Sequence, residues 1–195
     1  MLPSLPSLIA GDRLPTLPAR RLALRWITPA DEAALYEVFS NPDVMRYWSR
    51  TPFTHLGEAT ELRAAIEKCF AEQSLFQWGI ARREDDRVLG TCTISHLDRS
   101  NGRAELGYAL GRAHWGQGLM REALDALLPF AFGELGLRRL EADVDPANTA
   151  SVKMLERLGF QREGYLRERW AVGGGVQDSL FYGLLRREWE AGRGG

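Results

Sequence analysis

The stretch W-G-Q-G-L-M-R-E-A-L, Trp115 to Leu124, joins a glycine-rich turn to an amphipathic helix. Gly116 and Gly118 carry no Cβ, so the backbone there can adopt conformations closed to other residues and approach a ligand closely. The helix behind them offers unpaired first-turn N–H groups and the positive end of its dipole, which together suit a phosphate. The same pattern fits a plain tight turn, so a second element has to decide between the two.

That element is D-P-A-N-T-A-S-V-K-M-L-E-R-L-G-F, Asp145 to Phe160. Asn148 can cap a helix, and Ser151, three positions later, falls on the same face. Val152, Leu155 and Leu158 form an apolar stripe, and Gly159 ends the helix. Read alone, this is a well-capped core helix.

In this order and at this spacing, the two segments resemble the GNAT superfamily of acetyl-CoA-dependent N-acetyltransferases. The likeness is closer to the branch that includes the RimJ and RimL ribosomal-protein N-terminal acetyltransferases. Four further segments carry it: R-R-L-A-L-R-W-I-T-P-A-D (Arg20 to Asp31), N-P-D-V-M-R-Y-W (Asn41 to Trp48), A-E-L-G-Y-A-L (Ala104 to Leu110) and L-L-R-R-E-W (Leu184 to Trp189). It spans roughly residues 18 to 190. The fold it implies is α/β (α+β), a GNAT acyl-CoA N-acyltransferase fold. That is a mixed, mostly antiparallel sheet of six to seven strands flanked by about four helices. The implied domain covers residues 19–190, after an N-terminal arm over 1–18 and before a short tail over 191–195.

Composition agrees with such a chain. Its 195 residues suffice for one domain with a substantial core, and 45% hydrophobic content is ordinary for a globular protein. No apolar run approaches the roughly 20 residues needed to span a bilayer. The proline-rich start does not read as a secretory signal, and Leu2, Leu5, Leu8 and Ile9 offer apolar side chains to a partner. A net charge of −1 gives no general electrostatic reason to bind nucleic acid. Cys69 and Cys92 read as buried thiols of a cytoplasmic protein rather than a disulfide scaffold. A homodimer is the family's habit, and nothing in the pattern demands one.

Local patterns supply the elements. Leu22, Leu24 and Trp26 alternate as a half-buried strand, and Thr28 with Pro29 opens a helix that Asn41-Pro42 ends. Glu58 to Phe70 predicts a second helix. Phe76 to Ala81 and Val88 to Ser95 predict a hairpin, and Asn101-Gly102 a turn into the strand Arg103 to Leu110. A third helix is expected from Gln117 to Leu135, kinked near Pro129. Strands are expected over Leu140 to Val144, Gln161 to Arg169 and Ser179 to Leu185.

Acetyl transfer to an amine needs a held thioester, a neutral attacking nitrogen, and stabilisation of the oxyanion and departing thiolate. The resemblance puts the pyrophosphate of acetyl-CoA on the N–H groups of Gln117, Gly118, Leu119, Met120 and Arg121. It pairs the pantetheine arm with Gly107 to Leu110, and lays the thioester over a splay between that strand and Leu140 to Val144. Asn148 and Ser151 complete this side. Met120 departs from the small residue usual at its position, which is harmless if only its N–H is used. Glu105 is the expected base, with an exposed ion pair to Arg103 as its bland alternative; Glu168 is the second candidate. Many members carry an acidic tyrosine where this chain has Leu155, and the branch lacks it too. Ser151 then becomes the hydrogen-bond partner of the thiol.

His55, His96 and His114 lie on separate elements with no metal-ligand spacing. Tyr47, Trp48, Phe53 and Trp170 are candidates to clamp an acceptor or simply to pack. The leading expectation is acetylation of a protein N-terminal α-amine. Amino acids, polyamines and aminoglycosides are alternatives, and so is a non-catalytic acyl-CoA sensor. A strongly acidic pocket would favour the polycations, and residues 41–56 show no acidic cluster.

Overall fold

Leu22 and Leu24 alternate with Ala23 and Arg25, and both leucines are fully buried in the computed structural model, which describes residues 13–192. Eight strands form one sheet: β1 (Leu17–Pro18), β2 (Leu22–Arg25), β3 (Leu75–Arg82), β4 (Val88–Asp98), β5 (Arg103–Leu110), β6 (Arg139–Val144), β7 (Gln161–Val172) and β8 (Gly175–Leu185). Their order across the sheet is β1-β2-β3-β4-β5-β6-β8-β7, antiparallel throughout except for the parallel pair β5–β6. Six helices accompany it: α1 (Glu32–Phe39), α2 (Pro42–Met45), α3 (Gly57–Ala71), α4 (Leu119–Pro129), α5 (Thr149–Arg157) and α6 (Arg186–Ala191). The class is the expected one, with one or two more strands and two more helices than anticipated.

Alternate residues of the central strands feed two cores, as the period of two requires. Ile80, Leu89, Leu106 and Leu110 join α4, α5 and Phe130 on one face. Ala81, Val88 and Ala109 join α1, α2 and Ile66 of α3 on the other. Strands buried on both faces are tolerant of neither bulk nor charge. At Gly90 of β4, an added Cβ would lie 2.2 Å from the Ala109 carbonyl oxygen. Gly90→Ala is therefore expected to cost about 1–3 kcal/mol of stability, read as a lower urea midpoint at unchanged slope.

Several boundaries differ from the sequence reading, each for a local reason. Thr28 caps the helix as expected, but its first turn, Pro29–Asp31, is the tighter 3₁₀ form and α1 continues directly from it at Glu32. Asp31 accepts from the Thr28 N–H and hydroxyl at 2.8 and 2.9 Å, and Arg25 clamps the same carboxylate at 2.8 and 2.9 Å. Asn41 ends α1 but also caps α2, accepting from the Asp43 N–H at 2.9 Å. The third helix begins at Leu119, because Gly118 stands before it in the left-handed region with φ 72°. It ends at Pro129, which has no N–H to donate. The chain then widens into a looser turn in which the Leu135 N–H reaches the Phe130 carbonyl at 2.8 Å. β7 and β8 run longer than expected and meet at Gly173-Gly174, both at positive φ.

Leu14 and Leu17, read as part of the arm, are buried in the core, and the Trp78 indole donates to the Pro15 carbonyl at 2.9 Å. Leu2, Leu5, Leu8 and Ile9 lie outside the described residues. Cys92 is buried, whereas Cys69 is only half-buried. Among the described residues, no helix is long and apolar enough to cross a membrane.

Candidate active site

The parallel ladder between β5 and β6 is short. It runs from Arg103 opposite Arg139 to Glu105 opposite Glu141 and stops there. Beyond it β5 stays bonded to β4 and β6 stays bonded to β8, so the two strands part company. This is the splay anticipated between Gly107–Leu110 and Leu140–Val144, and a cavity of about 170 Å³ fills it. β5 contributes Glu105 to Tyr108, β6 and its end Ala142 to Asp145, and α5 Asn148, Ser151 and Leu155. Tyr47 and Trp48 after α2, and Trp170, Gln177, Asp178 and Ser179 from the β7–β8 hairpin, complete the wall.

Glu105 sits where the ladder ends. Burial raises its carboxyl above the usual range; His96 opposes that rise, and Asp143 adds to it. The expected alternative, a pair with Arg103, does not form: Arg103 binds Glu141 at 2.9 Å and Asp98 at 3.3 Å. The side chain beside Glu105 is instead His96, whose Nδ1 is 3.5 Å from Oε2. His96 itself stands at φ 51°.

Asp143, one strand over, is almost buried and serves as a local anchor. It accepts from the Ser179 hydroxyl, from the Trp170 indole at 3.3 Å and from Arg169 at 3.4 Å. Trp170 is thereby tied to the cavity wall, with the Arg169 guanidinium 5.3 Å from its ring centroid. Asp178 accepts from the Tyr165 hydroxyl and from the Glu168 N–H at 2.7 Å, and the tyrosine bond holds its carboxyl below the usual range. On the other rim, Trp48 packs edge-on against Phe39 with centroids 5.5 Å apart, and Arg46 lies over Tyr47. Phe53 is core, 4% exposed against Phe39.

On α5, Asn148 caps the helix by accepting from the Ser151 N–H at 3.1 Å, as its spacing predicted. The Ser151 hydroxyl meets the Tyr108 hydroxyl at 2.6 Å. Tyr108 was not singled out from sequence; its strand pattern marks it as a packing residue.

The glycine turn has the shape of an anion seat. Gly116 and Gly118 adopt φ 74° and 72°, and no protein atom lies within 4 Å of where a Cβ would stand on Gly116. No side chain caps α4, so its first-turn N–H groups are available to a ligand. Leu119 and Met120 bury their side chains in the core, which accounts for a long residue at position 120. Two groups at the turn are already engaged within the protein. Arg121 is turned away from the seat, bound to Asp125 at 2.9 Å and to the Arg157 carbonyl at 3.0 Å. The Leu110 carbonyl is already taken by the Trp115 indole at 2.7 Å. A cation that clamps the turn is Arg21, about a hundred residues upstream. It donates to the Gln117 carbonyl at 3.1 Å and to Glu122 at 2.7 Å.

Glu168 does not reach the cavity. β7 and β8 change register between Leu166 and Trp170, and Glu168 stands in that irregularity at φ 49°. Its side chain is exposed and lines a separate surface hollow with Tyr165, Leu166, Arg167 and Arg169. Among the described residues, no group of three or more His, Cys, Asp or Glu side chains is placed to hold a metal ion.

A strand pair that opens over a cavity beside a glycine turn is the arrangement of a thioester-using acyltransferase. Residues 21–161 match the family model of the acetyltransferase (GNAT) domain, and the chain belongs to that family. Its class of activity is acetyl-CoA-dependent N-acetyl transfer. The chain is 40% identical over 174 residues to the uncharacterized N-acetyltransferase p20 of Bacillus licheniformis, covering 89% of this chain and 98% of that protein. It is 30% identical over 129 residues to the [ribosomal protein uS5]-alanine N-acetyltransferase of Escherichia coli, covering 66% of each. Its fold matches that of Mycobacterium smegmatis RimJ in complex with CoA-disulfide, with TM-score 0.81 at 22% identity over 89% of this chain and 88% of that one.

Proposed function

We propose that the chain transfers the acetyl group of acetyl-CoA to the N-terminal α-amine of a protein or peptide, by direct attack of nitrogen on the thioester. The observation that carries this reading is Glu105: a carboxylate where the ladder ends, raised in proton affinity by burial, with His96 Nδ1 3.5 Å away. In this reading Glu105 takes the proton of the incoming ammonium. The N–H groups of Gln117 to Arg121 hold the pyrophosphate, and the edge of β5 from Gly107 to Leu110, open except at the Leu110 carbonyl, holds the pantetheine arm. Asn148 fixes α5 so that Ser151 can donate a hydrogen bond to the leaving sulfur. Tyr47, Trp48 and Trp170 flank the acceptor.

Acid strength favours the α-amine over other amines. With a pKa near 8, about a tenth of it is neutral at pH 7, whereas an amine above 10 is neutral in fewer than about one molecule in a thousand. A carboxylate only moderately raised can serve the first far better than the second. The identity to the E. coli alanine N-acetyltransferase points the same way.

One observation favours a small polycationic amine instead. Glu105, Asp143, Asp145 and Asp178 line the cavity with no lysine or arginine among the described lining residues. These acids come from β5, β6, the residue after β6 and β8, not from residues 41–56. Asp143, Asp145 and Asp178, however, each accept hydrogen bonds from their own surroundings.

Thiol release from acetyl-CoA tests both readings, with alanine- and serine-initiated peptides, free amino acids, spermidine and an aminoglycoside as acceptors. Release with the peptides supports the α-amine. Release with spermidine or the aminoglycoside alone overturns it. No release with any acceptor, from protein that binds acetyl-CoA, would favour acyl-CoA sensing. Placing the pyrophosphate at the turn carries its own prediction. Arg21→Ala frees the turn and strips the Glu122 carboxylate of its ion pair beside the seat, leaving it the backbone N–H of residue 21, so acetyl-CoA affinity should fall about 5- to 10-fold by calorimetric titration. Unchanged affinity would remove Arg21 from the site.

A further inference from the structure

The hydroxyls of Tyr108 and Ser151 stand 2.6 Å apart in the cavity wall, one on the sheet and one on the helix above it. Either oxygen could donate in that pair. The surroundings favour the tyrosine: its side chain packs against the core, and the Ser151 oxygen is the hydrogen-bond partner its hydroxyl has among the described residues, so a proton turned elsewhere would meet no protein acceptor. An unmade bond from an enclosed donor costs more than an acceptor lone pair left unused. With Tyr108 donating, the Ser151 oxygen accepts from the sheet side and its own proton is free to turn into the cavity.

We propose that Tyr108 is a positioning residue for acyl transfer: its hydrogen bond to Ser151 aims the serine proton at the sulfur as the thiolate departs. This rests on the reading of Ser151 given above. In that step the C–N bond has formed and the C–S bond breaks, with its electron pair going to sulfur. Glu105, after passing the ammonium proton on to solvent, takes the second proton from the attacking nitrogen, and the released thiolate takes its proton from solvent. Neither hydroxyl loses its proton. Burial pushes the Tyr108 phenol up to about 12, so it keeps the donor role at every working pH. A phenol so reluctant to ionise is a poor proton source for a thiolate whose conjugate acid titrates near 8.5. Its value lies in orientation. The arrangement also accounts for a chain that carries Leu155 where other members carry a tyrosine, because a tyrosine hydroxyl reaches the same region from β5.

The test is a mutant cycle in the full chain, using whichever of the alanine-initiated peptide or spermidine the native protein turns over. Tyr108→Phe should bind acetyl-CoA within about 2-fold of native and lower kcat about 10-fold, the scale of one oriented hydrogen bond. Ser151→Ala should lower kcat at least as much. The double variant should be no more than about 2-fold slower than Ser151→Ala, because without the serine the tyrosine has nothing to aim. Tyr108→His, which restores a ring N–H donor, should recover part of the loss and supplies the comparison with native protein if the phenylalanine variant does not fold. A full kcat in Tyr108→Phe beside a slow Ser151→Ala overturns the proposal and leaves the role of Ser151 standing. Losses that multiply in the double variant, a fall in acetyl-CoA affinity matching the fall in kcat, or a histidine variant that recovers nothing would reduce Tyr108 to packing. Native turnover in Ser151→Ala would overturn both readings together.

Discussion

Glu105→Gln should bind acetyl-CoA as the native chain does and turn over roughly 10²-fold more slowly or worse, the usual scale for a missing base. The amide keeps the size and polarity of the carboxylate, so the cavity should survive, but it cannot accept the ammonium proton. The pH profile identifies the group. A base works when deprotonated, so kcat/KM climbs as pH rises through its pKa. Because burial raises the Glu105 carboxyl, that climb should fall above the pH expected of an exposed glutamate. In Glu105→Gln this acid limb should vanish. Native turnover, or an acid limb that persists in the variant, would take Glu105 out of the mechanism.

Gly118→Glu should abolish measurable acetyl-CoA binding while leaving the fold in place. At φ 72° any side chain is strained by roughly 1–2 kcal/mol, but the space is open, with the Arg21 guanidinium nearest at 3.8 Å. A carboxylate at a helix N-terminus recovers about 0.3–1 kcal/mol of that strain. What it does to the ligand is worse, since it carries negative charge to the seat of a pyrophosphate. We expect at least a 100-fold loss of affinity by calorimetry with a melting temperature near native. Gly118→Ala separates the two effects, because it adds the strain without the charge and should lose far less. Native affinity in Gly118→Glu would mean that the phosphates bind elsewhere.

Positions that depend on local spacing were legible in the sequence. Asn148 and Ser151 are three apart on one helix face, and the cap follows from that interval alone. Gly116 and Gly118 announced a turn with positive φ, and Glu105 stood on the strand leading into it. What sequence could not show depends on partners far away. Arg21 lies about a hundred positions before the turn it clamps, and the more obvious cation, Arg121, is drawn off by Asp125 four residues along its own helix. Glu168 was misjudged because a register shift between Leu166 and Trp170 turns its side chain outward, and no composition rule marks that bulge. Tyr108 escaped notice for the opposite reason. In a regular sheet, Tyr108 and Glu105 face opposite sides and would never share a site; they do so here because the sheet opens between β5 and β6.

That opening bears on kinetic order. Tyr108 packs with the core beneath α4 and α5, while the face shared by Glu105 and Ala109 looks toward α1 and α2. Thioester and amine can thus arrive from opposite sides and occupy the gap at once. Neither must vacate it for the other, and no side chain has to carry the acetyl group between them; Cys92 is buried, with burial holding its thiol protonated. Initial-rate plots against both substrates should intersect rather than run parallel, and acetylated product should be free to leave while CoA is still bound.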